Sequence, residues 1–139
     1  MVSFFTADVS YTIRSKNLIR KWLQGLISKE GKRVGQLGII LCSDEYLWNL
    51  NKDFLNHRTY TDIITFDQGV IEGEVSGELY ISLERIRDNA KKFNVSVKDE
   101  LHRVMVHGVL HLCGYGDKTP REKTRMTAKE NEYLTKRRF

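Results

Sequence analysis

Hydrophobic residues recur at helical spacing early in the chain. Between Leu18 and Ile27 the leucine, isoleucine and tryptophan side chains fall three or four positions apart, which places them on one face of a helix. The spacing predicts an amphipathic helix from about Ser15 to Lys29, with Gly31 closing it. The short apolar run from Leu37 to Cys42 predicts a buried strand after that helix.

Strand and helix patterns continue to alternate through the middle of the chain. Ser43 or Asp44 can cap a second helix. β-Branched and aromatic residues from Asp62 to Phe66 predict one further strand, and the alternation from Glu78 to Ser82 predicts another. The segment from Gly69 to Gly77 is expected to connect them. Strands interleaved with helices indicate a small mixed sheet packed by helices.

Capping signals mark the helices of the second half. Ser82 caps a helix through about Phe93, and Ser96 caps the next one, which is expected to end at Gly114. A last helix begins with an N-cap, a first-turn proline and a capping-box glutamate. These signals are Thr119, Pro120 and Glu122. No repeat or linker interrupts the pattern, so residues 1–139 are expected to form one domain.

Composition narrows the class of protein. With 40% hydrophobic and 10% aromatic residues, 139 residues are enough to build a core. No apolar run approaches the roughly 20 residues of a membrane span, and the first residues lack the order of a signal peptide. The two cysteines do not suggest a disulfide framework, so we expect reduced thiols and a cytoplasmic location.

The net charge of +5 is concentrated at the end of the chain. Up to Asp117 the numbers of acidic and basic residues are equal. The residues after Asp117 include eight basic and three acidic ones. Lys136, Arg137 and Arg138 form the densest cluster. This basic tail can supply contacts to a phosphate backbone, or it can be the solvated face of a terminal helix. Composition leaves both interpretations open.

The candidate chemistry lies in the segment HGVLHLCGYGD at 107–117. His107 and His111 are four residues apart, so on a helix both imidazoles can reach one ion at about 2.0 to 2.1 Å. Two glycines then allow the chain to turn and deliver Asp117. Three protein ligands leave a position open, which is typical of a catalytic zinc site. Cys113 is a poor candidate ligand, because a position two residues after His111 faces away from the pair.

Each residue of this group also has a structural interpretation. A histidine pair on an apolar helix can be part of the core, and an aspartate in a turn can form an Asx-turn or cap the next helix. Thr119 already offers a cap for that helix. The spacing of the three residues therefore favours metal binding without excluding these alternatives.

The segment 107–117, with Glu122, Met126 and Glu130 behind it, resembles the HGxLHLxGYDH signature of the YbeY family of metal-dependent endoribonucleases. Further blocks look like the LN, TDVLSF and GDIxIS blocks of that family, in the same order. They are 50–51, 61–66 and 77–82. The resemblance implies an α+β fold, with a small mixed, mostly parallel four-stranded sheet packed by about five helices around a central metal-bearing helix.

The resemblance also implies a function. It suggests a single-strand-specific endoribonuclease that matures the 3′ end of 16S ribosomal RNA and acts in ribosome quality control. Ribosomal RNA, ribosomal subunits and single-stranded RNA would be its partners, with no membrane involved. One Zn²⁺ ion held by His107, His111 and Asp117 would be the cofactor.

Two positions depart from the family pattern. Asp117 stands where the family usually has a third histidine, so a carboxylate replaces a neutral imidazole. Zinc accepts this change, which lowers the net charge of the site by one unit and makes Mn²⁺ or Ni²⁺ more competitive. Leu55 stands where the family commonly has an arginine. Arg58, three residues on, can hold a phosphate bidentately, or it can be an ordinary loop arginine.

The mechanism that these residues imply is metal-assisted hydrolysis of a phosphodiester. No general base is evident from the sequence. Glu100 and Asp62 are candidates to orient a ligand imidazole or relay a proton, although a first-turn glutamate and a strand-start aspartate also have structural explanations.

Two alternatives to an endoribonuclease remain. The histidine pair would suit a metallopeptidase, but Gly108 occupies the position where zincin peptidases place a glutamate. The other alternative is a non-catalytic ribosome-assembly factor whose metal is structural. The loss of the family arginine at Leu55 makes this possibility worth testing.

Overall fold

The structure is a computed structural model that describes residues 1–55 and 61–139, with the side chains of residues 54 and 55 left out. These ranges contain four strands and five helices. The strands are β1 (Val2–Thr6), β2 (Arg33–Cys42), β3 (Ile63–Asp67) and β4 (Glu74–Ser82). The helices are α1 (Lys16–Lys29), α2 (Asp44–Leu55), α3 (Leu83–Phe93), α4 (Val97–Leu112) and α5 (Pro120–Thr135).

The strands form one mixed sheet in the order β1-β2-β4-β3. β1, β2 and β4 run parallel, and β3 runs antiparallel to β4. The expected α+β fold with a mostly parallel four-stranded sheet and five helices is confirmed. None of the helices in the described ranges is long and apolar enough to cross a membrane.

Two strands are longer than the hydrophobic pattern predicts, and one strand is not predicted by it. β2 begins at Arg33 and β4 at Glu74, because these two residues pair with each other, as do Val34 and Val75 after them. The predicted connection over Gly69 to Gly77 was therefore wrong in its second half, where the residues are already strand. β1 lies at an edge and buries only Val2 fully, so its sequence carries little alternation.

The helix caps follow the predicted signals. The hydroxyl of Ser82 accepts a hydrogen bond from the Arg85 N–H, and that of Ser96 accepts one from the Asp99 N–H. α5 starts with the complete capping box at Thr119. These caps fix where α3, α4 and α5 begin.

α4 is the central helix. Its buried residues lie on more than one face, because it packs against the sheet on one side and against α1, α3 and α5 on others. Gly108 allows the close approach to the sheet. A Cβ at this position would lie 2.7 Å from Ile63 Cδ1 and 2.9 Å from both methyl groups of Leu79. The end of α4 that carries the histidines therefore lies directly on β3 and β4.

Candidate metal centre

His107 and His111 lie one turn apart on the last two turns of α4. Their Nε2 atoms are 3.0 Å apart, and their rings are nearly perpendicular at 81°. Both side chains are about one quarter exposed, so they face a cavity and not the core. The helical spacing thus brings two imidazole nitrogens to one point, as the sequence pattern predicts.

Asp117 reaches the same point through the turn that follows α4. Gly114 takes a left-handed conformation with φ 107°, which ends the helix and reverses the chain. The Glu122 carboxylate accepts hydrogen bonds from the N–H groups of Lys118 (3.1 Å) and Thr119 (3.0 Å). These bonds fix the backbone directly after Asp117 and hold its side chain toward the two histidines.

The geometry of the three side chains fits a metal ion. Asp117 Oδ2 lies 3.1 Å from His111 Nε2 and 3.3 Å from His107 Nε2. Ligands about 2.0 to 2.1 Å from a tetrahedral zinc ion are about 3.3 to 3.4 Å apart, close to the size of this triangle. Two imidazole nitrogens and one carboxylate oxygen also form a donor set that zinc and other divalent ions accept. The group can therefore hold a divalent metal ion.

Glu130 on α5 contacts one of these side chains, although the sequence pattern did not single it out for this contact. Its Oε2 lies 2.7 Å from His107 Nδ1, and its Oε1 accepts a hydrogen bond of 2.9 Å from Arg103. A carboxylate oxygen accepts at this contact, which favours Nδ1 as the protonated nitrogen of His107. The lone pair of Nε2 then faces His111 and Asp117.

The same contact controls the charge of His107 when no metal is bound. Burial alone would lower the pKa of His107, but the hydrogen bond and charge of Glu130, with the charges of Asp117 and Asp62, raise it above the usual value. The acidic surroundings therefore favour positive charge at this imidazole. A bound cation would satisfy the same carboxylates.

A signal for Glu130 does exist in the sequence. On α5 the buried residues are Met126, Glu130 and Tyr133, spaced four and three positions apart. An acidic residue on an otherwise apolar stripe is seldom buried without a partner. The stripe indicates that Glu130 has a partner in the core, but it does not indicate which residue that partner is.

The three side chains open into a cavity of about 500 Å³ between α2, β3 and α4. Asn51 forms part of the α2 side and is buried. β3 provides most of the opposite side. The three side chains are therefore reached from this cavity.

The two predicted supporting acids lie in different places. Asp62 lines the cavity at the start of β3, and burial raises the pKa of its carboxyl above the usual range against the opposing charge of His107. Glu100 is buried in the first turn of α4 and lines a separate groove beside Arg103 and Glu130. Its pKa is raised by burial and by the charge of Asp62. The structure thus brings Asp62, but not Glu100, to the wall of the metal cavity.

Arg58 lies outside the described residues, so its predicted role in phosphate binding stays a prediction. α2 ends at Leu55, the position of the missing family arginine.

The three basic residues of the tail do not share one surface. Lys136 pairs with Glu132 at 3.4 Å, and Arg138 is exposed. Arg137 turns inward, with a side chain that is only 15% exposed, and pairs with Asp99 at 3.0 Å. It also donates to Nδ1 of the buried His102 at 2.7 Å. Of the predicted cluster, Lys136 and Arg138 present charge to solvent, while Arg137 holds the tail against α4.

Comparison with known proteins identifies relatives over almost the full length of the chain. The family model described as Endoribonuclease YbeY matches residues 3–138. The Endoribonuclease YbeY of Cytophaga hutchinsonii is 49% identical over 138 residues, which cover 99% of this chain and 96% of the relative. That of Bacteroides thetaiotaomicron is 43% identical over 137 residues, 98% of each chain.

A solved structure has the same fold. The solution structure of TM1509 from Thermotoga maritima aligns with a TM-score of 0.65 and 28% sequence identity. The alignment covers 96% of this chain and 87% of that protein. The arrangement of the sheet around α4 is therefore shared with a protein whose structure was determined by experiment.

Proposed function

Because the chain belongs to the YbeY family of endoribonucleases, we propose that it is a metal-dependent endoribonuclease that cleaves single-stranded RNA. The observation that carries the proposal is the convergence of His107, His111 and Asp117 at the wall of an open cavity. Ligands at the wall leave the metal open to a substrate, whereas structural zinc sites are closed by four protein ligands.

We propose Zn²⁺ as the metal, with Mn²⁺ and Ni²⁺ as competitors because one of the ligands is a carboxylate. A divalent ion held there supplies Lewis-acid chemistry to a phosphodiester. Glu130 orients His107 through its Nδ1–H, so that Nε2 keeps its lone pair for the metal. Arg103 in turn holds the Glu130 carboxylate.

Asp62 is our candidate for moving a proton within the cavity. Its carboxyl lines the cavity wall, and its raised pKa lets it hold a proton more readily than an exposed aspartate does. Glu100 lies behind the site in a groove beside Arg103 and Glu130, and burial raises the pKa of its carboxyl. We assign no proton transfer to Glu100.

The flanking RNA requires basic residues, because the cavity itself contains several acids. Arg58 is proposed to bind a phosphate near the site, in place of the family arginine at the position of Leu55. Lys136 and Arg138 are proposed to contact the backbone further along the strand. Arg137 contributes indirectly, since its ion pair with Asp99 holds the end of the chain in place.

In the cell we propose that the substrate is ribosomal RNA on ribosomal subunits in the cytoplasm, and that the cleavage matures the 3′ end of 16S RNA. The relatives of this chain support an RNA substrate, because the family model and the similar proteins carry the name Endoribonuclease YbeY. Binding to isolated small subunits, followed by mapping of the RNA ends, would test it.

The activity is tested by comparing the zinc-loaded wild type with His111→Ala on single-stranded RNA and on a casein-like peptide. We expect RNA cleavage by the wild type and its loss in the variant. RNA cleavage that survives His111→Ala would contradict the metal mechanism. Cleavage of the peptide alone would indicate a metallopeptidase, and binding to ribosomal subunits without any cleavage would indicate an assembly factor.

A further inference from the structure

One wall of the metal cavity is the open edge of the sheet. β3 pairs with β4 on one side, and no strand in the described part of the chain pairs with its other side. Ile63, Thr65 and Asp67 all line the cavity together with the metal ligands. The edge of β3 that no other described strand pairs therefore runs alongside the site where the proposed chemistry takes place.

The register shows which peptide groups point into the cavity. The Ser82 N–H donates to the Asp62 carbonyl at 2.9 Å, and the Gln68 N–H donates to the Ser76 carbonyl at 3.0 Å. In an antiparallel pair the residues that bond the partner strand alternate with those that do not. Asp62, Gln68 and the even-numbered residues between them therefore bond β4. The odd-numbered residues turn their N–H and C=O groups outward.

The outward groups belong to Ile63, Thr65 and Asp67. The Ile63 carbonyl has a weak local donor in the Thr61 hydroxyl, 3.4 Å away. Proceeding from the proposed function, we propose that these peptide groups form a nucleotide subsite, which hydrogen bonds the bases that flank the scissile phosphate.

The charges beside the edge favour bases over phosphates. Asp67 lies at one end of the edge and repels a phosphate backbone, and Asp62 at the other end adds no positive charge. The edge of a base is neutral and offers donors and acceptors, which match the N–H and C=O groups of a strand. Phosphate binding is left to the metal and to basic residues outside this wall.

The subsite also gives a physical reason for selecting single strands. Outward peptide groups recur every second residue, about 6.8 Å apart, whereas bases in a duplex are stacked about 3.4 Å apart along each strand. Bases that bond successive groups on β3 are therefore unstacked. The edges of these bases that would form Watson–Crick pairs are also hydrogen bonded to β3. The same bases therefore cannot remain in a duplex.

The test combines a backbone change with a base change. Thr65→Pro removes an outward N–H and leaves the bonds to β4 intact, as prolines on edge strands do. Thr65→Val is the matched control, because it removes the hydroxyl but keeps the N–H. Each zinc-loaded protein is assayed on a short single-stranded RNA and on copies with one abasic nucleotide at each position around the cleavage site.

We expect one abasic position to lower kcat/KM of the wild type about three- to tenfold, the effect of one hydrogen bond. Thr65→Pro should show a similar fall on intact RNA and little further loss on that abasic RNA. Thr65→Val should keep the full sensitivity to the abasic position. A purely structural effect of proline would add to the abasic effect instead of replacing it.

Several outcomes would overturn the subsite. They are equal cleavage of intact and abasic RNA by the wild type, additive losses in Thr65→Pro, and displacement of the RNA by an extended peptide. If Thr65→Pro does not fold, the wild type is assayed instead on RNA that carries nonpolar base isosteres. We expect this RNA to be cleaved as slowly as abasic RNA. Absence of any RNA cleavage by the zinc-loaded wild type would contradict the proposed function, whereas the other results contradict only the subsite.

Discussion

Glu130 Oε2 lies 2.7 Å from His107 Nδ1 and joins α5 to the helix that carries the histidines. The carboxylate is buried, and its other oxygen is held by Arg103. Metal-binding imidazoles commonly donate their second nitrogen to such a carboxylate, which fixes both the tautomer and the ring orientation. The contact is consistent with a site prepared for a cation before the cation binds.

Removing this carboxylate should weaken metal binding. We expect Glu130→Ala to lower zinc affinity about 10- to 100-fold, and Glu130→Gln to lower it less because the amide oxygen can still accept the hydrogen bond. Affinity is measured by competition with a chelator. Glu132→Gln is the control, because Glu132 lies on the same helix but pairs with lysines near the surface. Unchanged affinity in Glu130→Ala would contradict the orienting role.

The third ligand should set the metal preference. Asp117→His restores the imidazole usual in the family, and its 40% exposed side chain leaves room for the larger ring. We expect the ratio of Zn²⁺ to Mn²⁺ affinity to rise about tenfold, because imidazole suits zinc and a carboxylate suits manganese. Competition between the two ions measures the ratio. If Asp117→Ala binds zinc as tightly as the wild type, Asp117 is a turn residue and not a ligand.

The glycine after the first histidine should be required for packing. Gly108→Ala would place a methyl group against Ile63 and Leu79, and we expect a loss of about 1 to 3 kcal/mol in the free energy of unfolding. Gly25→Ala is the matched control in α1, where nothing lies within 4 Å of an added Cβ. It should stabilise the fold by about 0.5 to 1 kcal/mol. If the two variants have equal free energies of unfolding in denaturant, α4 can move away from the sheet without destabilising the fold, and the close packing at Gly108 is not required.

Features that depend on nearby residues could be predicted from the sequence. The helices are set by apolar spacing and by caps such as Ser82, Ser96 and Thr119, which act within three residues. The positions of His107 and His111 follow from helical geometry alone. The turn to Asp117 is short enough for its glycines to indicate it.

Features that depend on distant residues could not be predicted in the same way. Glu130 is 23 positions from His107, and its partner is decided by how α5 packs on α4. The extension of β2 and β4 depends on their mutual pairing, because the residues at which they begin, Arg33 and Glu74, are polar. Arg137 belongs to a basic run in sequence, but its contact with Asp99, 38 positions earlier, is tertiary. Periodicity carries no information about such partners.

The basic tail should separate into residues that bind RNA and a residue that holds the fold. We expect the double change Lys136→Gln and Arg138→Gln to weaken RNA binding with little effect on stability. The slope of log affinity against log salt concentration should fall by up to about two, because up to about two fewer counterions are released. Arg137→Gln should instead lower the free energy of unfolding, since it leaves Asp99 and His102 without their partner. Salt titrations of RNA affinity and denaturant unfolding distinguish the two effects. If the slope is unchanged in the double variant, the tail does not bind RNA and is only the solvated face of a terminal helix.

Acid sensitivity should originate partly at His102. Burial, with the charges of Arg137 and Lys98, lowers the pKa of His102 to about 4, and Arg137 donates to its Nδ1, so the folded protein holds this imidazole neutral. The unfolded chain takes up the proton near the usual pKa of about 6.5, so stability is lost as pH falls from there toward 4.

Denaturant unfolding at pH 7 and at pH 5 measures this contribution. Between these values we expect the wild type to lose about 1 to 2 kcal/mol through His102. His102→Gln keeps an acceptor for Arg137 but cannot titrate, so its free energy of unfolding should fall less over the same range. The acids whose pKa is lowered in the folded protein without a contribution from His102, such as Glu30, lose their stabilising effect at lower pH and affect both proteins alike. Equal losses in the two proteins would contradict the lowered pKa of His102 in the folded protein.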